Sequence, residues 1–184
     1  MEKQKYAAIV LAAGSGKRMN SKVHKQYLII QDRPVLYYSL KAFEDSAVDE
    51  IVLVVGKGEE EFCRKEIVDK YGISKVKAIV EGGKERYHSV FEGLKQTSDA
   101  DYVLIHDGPR PFVNQEIIRR CMLEVPEYQA CVVGMPVKDT IKIADEEGYA
   151  KQTPDRKNVW MIQTPQTFSY ALIYEAYEEM LKTE

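Results

Sequence analysis

Cysteine is scarce and odd in number: Cys63, Cys121 and Cys131 are the only three in 184 residues, far apart and without a C-x-x-C pair. That pattern excludes a disulfide framework and reads as buried thiols in a reducing cytoplasm. The three histidines, His24, His88 and His106, share no spacing that would gather them on an ion, which excludes a structural transition metal. No apolar run approaches the roughly 18 residues of a membrane span. The longest, such as Ile51 to Val55, are strand-sized, and the charged start Met1-Glu2-Lys3-Gln4-Lys5 is no signal peptide. Charge of one sign is lacking too: 26 Lys plus Arg against 29 Asp plus Glu leave a net charge of −3. Without a global positive field, duplex nucleic acid and anionic membranes are poor partners, and any anionic ligand must be held locally. Only 7 prolines and 11 glycines, with no repeat, low-complexity stretch or linker, argue for one globular domain over residues 1–184.

What is present is a β-α alternation. Strand-length apolar runs occur at Tyr6 to Leu11, Ile51 to Val55, Val76 to Val80, Tyr102 to Ile105 and Cys131 to Val133. Most are continuous rather than alternating, as expected of strands buried on both faces. Between and after them lie helical periods at Leu36, Leu40 and Phe43, at Tyr87, Val90, Phe91 and Leu94, and at Ile173, Ala176, Tyr177 and Met180. The alternation predicts an α/β fold, a mostly parallel sheet with helices on both faces, whose ligands bind at the carboxyl ends of the strands. One region departs from it. Between about Pro136 and Val159 the turn signal Asp145-Glu146-Glu147-Gly148 separates two polar extended segments, Thr140 to Ala144 and Tyr149 to Thr153. We read it as a protruding β-hairpin arm, too small to be stable unless it packs on a partner.

Three segments at strand ends carry chemistry. The first strand runs into Leu11-Ala12-Ala13-Gly14-Ser15-Gly16-Lys17-Arg18-Met19, and Lys25 follows in Lys25-Gln26-Tyr27. Small residues let backbone amides approach an anion while Lys17, Arg18 and Lys25 supply counter-charge, which makes a phosphate cradle by chemistry. Neither G-x-G-x-x-G nor the Walker pattern is satisfied, since Met19 stands at the last glycine and Arg18 at the Ser/Thr position. A tight strand-to-helix turn is the plainer use of a bare Gly-x-Gly. Next, Glu81-Gly82-Gly83-Lys84-Glu85-Arg86-Tyr87-His88-Ser89 opens an amphipathic helix whose first amides, and the Ser89 hydroxyl, could meet a base edge or a phosphate. Last, His106-Asp107-Gly108-Pro109-Arg110-Pro111 puts a carboxylate at the end of a buried strand, suited either to Mg²⁺ beside substrate phosphates or to a turn cap.

Together with Asp139-Thr140-Ile141-Lys142 and Gln163-Thr164-Pro165-Gln166-Thr167-Phe168, these segments resemble the 2-C-methyl-D-erythritol 4-phosphate cytidylyltransferases of the non-mevalonate isoprenoid pathway, from Tyr6 to about Tyr170. The resemblance implies a Rossmann-like nucleotidyltransferase that joins CTP to methylerythritol phosphate and releases pyrophosphate. By it, Ala12, Ala13, Gly14 and Gly16 would line the nucleotide, and Gly83, Lys84 and Ser89 would face cytosine and ribose. Arg18 and Lys25 would hold the triphosphate and act as the catalytic cations, with Asp107 ligating Mg²⁺. Arg110, Thr140, Arg156 and Thr164 would contact the acceptor, a sugar-alcohol phosphate, in a homodimer joined through the arm.

The chain departs from the family pattern at several points. His24 precedes Lys25 where proline is usual, and Gly108-Pro109 stands where two alanines are commoner, Pro109 lacking a backbone donor. The family's further Asn-x-Lys-x-Thr segment has no counterpart before Glu184, so turnover is expected to suffer more than CTP binding. Two alternatives stay open at this point: a pentitol phosphate such as ribitol 5-phosphate as acceptor, and a non-catalytic CTP-binding dimer.

Overall fold

A computed structural model describes residues 3–14 and 24–183. In chain order it contains β1 (Tyr6–Ala12), a 3₁₀ turn at Lys25–Tyr27, a ribbon of β2 (Ile29–Ile30) and β3 (Arg33–Pro34), α1 (Val35–Glu44), β4 (Glu50–Val55), and α2 (Glu60–Cys63), which runs into a π-helical segment at Arg64–Asp69. Then come β5 (Val76–Glu81), α3 (Arg86–Leu94), β6 (Tyr102–Asp107), α4 (Gln115–Tyr128), β7 (Ala130–Pro136), β8 (Ile143–Ala144), β9 (Ala150–Gln152), a 3₁₀ turn at Arg156–Asn158, β10 (Trp160–Ser169) and α5 (Tyr170–Lys182). No helix among the described residues is long and apolar enough to cross a membrane.

The main sheet has six strands in the order β5-β4-β1-β6-β10-β7. β1 pairs in parallel with β4 on one side and β6 on the other, and β4 pairs in parallel with β5. β10 alone runs backwards, antiparallel to both β6 and β7. The continuous apolar runs have the expected cause, two buried faces. Ala8, Val10 and Ala12 of β1 meet α1 and the α4 side of the core, while Ala7, Ile9 and Leu11 meet Val90 and Leu94 of α3. α3 comes so close to the sheet that a Cβ on Gly93 would lie 2.5 Å from Ile9 Cγ2.

Every strand read from the apolar runs is present, as are the three helices read from periodicity. α2, α4 and β10 go beyond those readings. β10 is polar in its middle, from Gln163 to Thr167, and contains Pro165 after a cis Thr164-Pro165 peptide, so the part that pairs with β6 lacks the apolar run that marks the parallel strands. The arm is a hairpin, with β8 antiparallel to β9 and every residue of both exposed. Its turn uses Gly148 at φ 89°, with the amides of Glu147 and Tyr149 donating to Asp145 Oδ1. Cys63 and Cys121 are buried and Cys131 partly so, and all three are free thiols.

Candidate active site

Parallel register brings the exits of β1, β4, β5 and β6 to one edge of the sheet. Leu11 lies opposite Asp107, and the loops then lock onto the neighbouring strands: Gly108 N–H donates to Leu11 O at 2.8 Å and Gly82 N–H to Val55 O at 2.8 Å. Contact between the β1 and β5 exits is tight enough to demand glycine. A Cβ on Gly82 would stand 2.5 Å from Ala13 Cβ and 2.6 Å from Ser89 Oγ. Ala13, Gly82 and Ser89 thus meet, with Ala12 and Gly14 flanking Ala13 in the chain, Gly83 bonded to Ser89, and Lys84 exposed. Ser89 is buried, accepting from Gly83 N–H at 3.1 Å and donating to Glu85 O at 3.3 Å. Its hydroxyl shapes the glycine turn. Gly16 and Arg18 lie outside the described residues.

Lys25 opens the 3₁₀ turn, which is tied back to β1 because buried Gln26 donates from Nε2 to Ala12 O at 2.6 Å. The other amide atom, Gln26 Oε1, is buried and finds no hydrogen-bond partner among the described residues.

Asp107 is the centre of a second group. Its Oδ1 accepts from Arg86 Nε at 3.1 Å and its Oδ2 from Arg110 Nε at 3.0 Å. Burial alone would push this carboxyl up, but the two guanidiniums outweigh it and hold the group below the usual carboxylate range, so it is ionised. Arg86 also donates from Nη2 to Gln166 Oε1 at 3.1 Å, and Arg110 from Nη1 to Gln163 Oε1. Arg86 therefore joins the β5–α3 loop to the β6 exit and to β10. Spacing in the sequence does not reveal Arg86 as a partner of Asp107, nor Gln163 and Gln166 as partners of the two arginines, because Arg86 comes from α3 and both glutamines from β10.

Beneath Asp107 runs a chain of hydrogen bonds whose directions can be worked out. His106 Nε2 lies 3.1 Å from Arg110 O, an acceptor, so Nε2 carries the proton. Nδ1 is then the acceptor for the Thr164 hydroxyl at 3.0 Å, and Thr164 Oγ1 in turn accepts the Asp107 N–H at 3.2 Å. His106 is fully buried, and that burial lowers its pKa to about 4, so it is neutral. The Thr164 hydroxyl has its proton and one lone pair committed, which leaves a single lone pair able to accept from a donor. Ser39 completes the support by donating to Gly108 O at 2.7 Å.

No group of three or more His, Cys, Asp or Glu side chains among the described residues could enclose a metal. Asp107 by itself suits a hard cation of another kind. It is a single ionised carboxylate, a quarter exposed, with a lone pair left on each oxygen, and Mg²⁺ takes one or two carboxylates and completes its shell from phosphates and water.

Thr140 and Arg156 are not brought to this cluster. Both are exposed on the arm, and Arg156 donates from Nη1 to Lys138 O at 3.0 Å, within the arm itself.

The sequence and the fold are similar to those of known proteins. The family model described as 2-C-methyl-D-erythritol 4-phosphate cytidylyltransferase matches residues 6–184. The protein of that name from Lachnoclostridium phytofermentans is 52% identical over 177 residues, covering 96% of this chain and 76% of its own length. Its namesake from Lachnospira eligens is 55% identical over 174 residues, covering 94% of this chain and 76% of its own. The crystal structure of 4-diphosphocytidyl-2C-methyl-D-erythritol synthase from Anaerococcus prevotii superposes with a TM-score of 0.85 at 37% identity, covering 98% of this chain and 77% of that one.

Proposed function

The chain belongs to the 2-C-methyl-D-erythritol 4-phosphate cytidylyltransferase family, and from that premise we propose how its residues divide the work. It is a cytidylyltransferase of the non-mevalonate isoprenoid pathway. In the reaction an oxygen of the methylerythritol phosphate attacks the α-phosphorus of CTP. A new P–O bond forms, the bond from the α-phosphorus to the bridging oxygen breaks, and pyrophosphate leaves. The observation that carries the assignment of roles is the meeting of the glycine loops with the Asp107 cluster at one sheet edge, where Gly108 binds Leu11 and Arg86 bridges to Asp107.

On this reading the nucleotide lies over the β1 and β5 exits. Amides of Ala12, Ala13, Gly14 and Gly16 face its phosphates, and Gly83, Lys84 and Ser89 face cytosine and ribose. The attacking phosphate is already ionised at neutral pH, so no general base is required and the difficulty is bringing two anions together. Arg18 and Lys25 meet that difficulty by holding the triphosphate and stabilising the charge that builds on the leaving pyrophosphate. Arg110 and Thr164 hold the acceptor from the β6 side, and Thr140 and Arg156 reach it from the arm of a second subunit. Asp107 is the ligand for the divalent cation, Mg²⁺, which when bound neutralises phosphate charge. The neutral His106 and the Thr164 hydroxyl fix the backbone beneath Asp107, so the carboxylate is set in place before substrate arrives.

The test is pyrophosphate release from CTP with methylerythritol phosphate and, in parallel, ribitol 5-phosphate. The family assignment predicts turnover with the first. Faster turnover with ribitol 5-phosphate would overturn the acceptor, and CTP binding without release to either would favour a non-catalytic dimer.

A further inference from the structure

We propose that Glu59 is a positioning residue for the reaction: its carboxylate clamps His24 and Tyr27, which bracket Lys25 in the chain, to the exit of β4 and so fixes where the Lys25 ammonium meets the triphosphate. The proposal rests on the reading of Lys25 as a phosphate-holding cation. Glu59 follows β4 by a short loop and stands just before α2. One oxygen, Oε1, takes His24 Nδ1 at 2.9 Å. The other, Oε2, accepts from the Tyr27 hydroxyl at 2.7 Å and from Gly56 N–H at 3.0 Å. A carboxylate only accepts, so His24 must carry its proton on Nδ1 and Tyr27 must spend its one hydroxyl proton on Glu59. The Cys63 thiol, 3.1 Å from the Tyr27 oxygen, is then the donor in that contact. Burial pushes this thiol up to about 11, so the proton it donates is in place.

These contacts hold the turn from both sides of Lys25. His24 and Tyr27 stack at a centroid distance of 6.2 Å, Tyr27 N–H donates to His24 O at 2.9 Å, and Phe62 packs edge-on against the Tyr27 ring at 5.2 Å. Gln26 ties the same turn to Ala12 on β1. The Lys25 backbone is thereby suspended between the exits of β1 and β4, with Glu59 holding the side chains of both His24 and Tyr27 on the β4 side and the Cys63 thiol adding a contact to Tyr27. A lysine side chain has four rotatable bonds and settles only as well as its backbone does, and a displacement of about 1 Å at a reacting centre can cost 10²-fold in rate. A carboxylate here is also tightly fitted: a Cβ on Gly56 would stand 2.7 Å from Glu59 Oε2. Glycine at this position makes room for the clamp.

The experiment is a double-variant cycle on the full chain, reading acceptor-dependent pyrophosphate release. Glu59→Gln keeps the shape but leaves one acceptor atom for three donors, and should lower kcat roughly 10- to 100-fold. The KM for the acceptor, whose contacts lie at Arg110 and Thr164, should stay at its wild-type value. Tyr27→Phe, which removes one tie without touching charge, should give a smaller loss in the same direction. Lys25→Ala should itself slow the reaction by roughly 10²- to 10³-fold. If Glu59 acts through Lys25, adding Glu59→Gln to Lys25→Ala costs nothing further. A slow Lys25→Ala variant on which Glu59→Gln still exacts its full loss would overturn the clamp alone. So would a Glu59→Gln variant with wild-type kcat. A Lys25→Ala variant with wild-type turnover would instead overturn the reading of Lys25, and the clamp with it.

Discussion

His106 shows what a fold can impose on a single residue. Its ring is fully buried, its Nε2 proton is given to Arg110 O and its Nδ1 accepts from Thr164, which leaves no place for a second proton. Burial depresses its pKa from 6.5 to about 4. The folded pKa lies below the unfolded one, so on acidification the unfolded chain takes up the proton first. The stabilisation is whole above about pH 6.5 and is lost as the pH falls from there to about 4, to a total on the order of 3 kcal/mol. Urea unfolding at pH 7 and pH 5 should therefore show a fall that is smaller in His106→Gln, and an equal fall in both would mean that His106 titrates freely. Asp107 carries the second prediction at this scale. Asp107→Asn keeps the shape and removes the charge, so Mg²⁺ titration with CTP present should show a far weaker metal requirement. Equal requirements would return Asp107 to a purely structural part, holding Arg86 and Arg110. Asp107 and Arg110 were legible in the sequence because they share one short segment after a buried strand. Arg86 and Glu59 were not, since their roles depend on partners 21 and 32 positions away, brought near only by the sheet. Glu59 sits in an acidic run, Glu59-Glu60-Glu61, that reads as a solvated surface.

Among the elements, α3 links packing to chemistry most directly. Its first turn carries Arg86 and Ser89, and one of its later residues, Gly93, allows the helix to lie against Ile9 of β1. Alanine at an ordinary helix position gains about 1 kcal/mol over glycine. Here the new Cβ would meet Ile9 Cγ2 at 2.5 Å, in a β-branched side chain with little freedom to turn away, and overpacking of that kind costs about 1–3 kcal/mol. Gly93→Ala should therefore lower the melting temperature despite the better helix propensity. Ile9→Leu in the same chain, which removes the branch at the β-carbon, should recover part of the loss. A Gly93→Ala variant more stable than the wild type would show that α3 can lift from the sheet at little cost. The helix was legible from Tyr87, Val90, Phe91 and Leu94. Its closeness to β1 was not, because a glycine in a helical pattern signals a contact without saying with what. β10 was hidden for the opposite reason: Gln163 to Phe168 was visible as a motif, but a polar antiparallel strand with a proline does not look like a member of a buried sheet.

At the scale of the whole molecule, Thr140 and Arg156 project away from the site in which the proposed function places them. β8 and β9 are exposed at every residue and paired with each other, and two such short strands are marginal on their own. The apolar surface does not stop at the arm. Ile143 and Tyr149 on it, and Val132, Met135, Trp160, Met161 and Ile162 at its root on β7 and β10, are all exposed large hydrophobic residues. Exposed apolar side chains in that number mark an association site. A second copy of the chain, applying its arm by two-fold symmetry, would cover the surface and deliver Thr140 and Arg156 to the partner's Arg110 and Thr164. Deleting residues 140–152 should then yield monomers by light scattering. A sharper measurement separates a shared site from a merely adjacent one. Arg110→Ala and Arg156→Ala chains are each expected to be slow. If Arg156 acts across the interface, a heterodimer of the two has one site with both substitutions and one with neither. Unfolded together at equal concentration and refolded, they should assort randomly and restore roughly a quarter of the wild-type sites. If Arg156 serves its own chain, every site in every dimer lacks one arginine or the other, and mixing restores nothing.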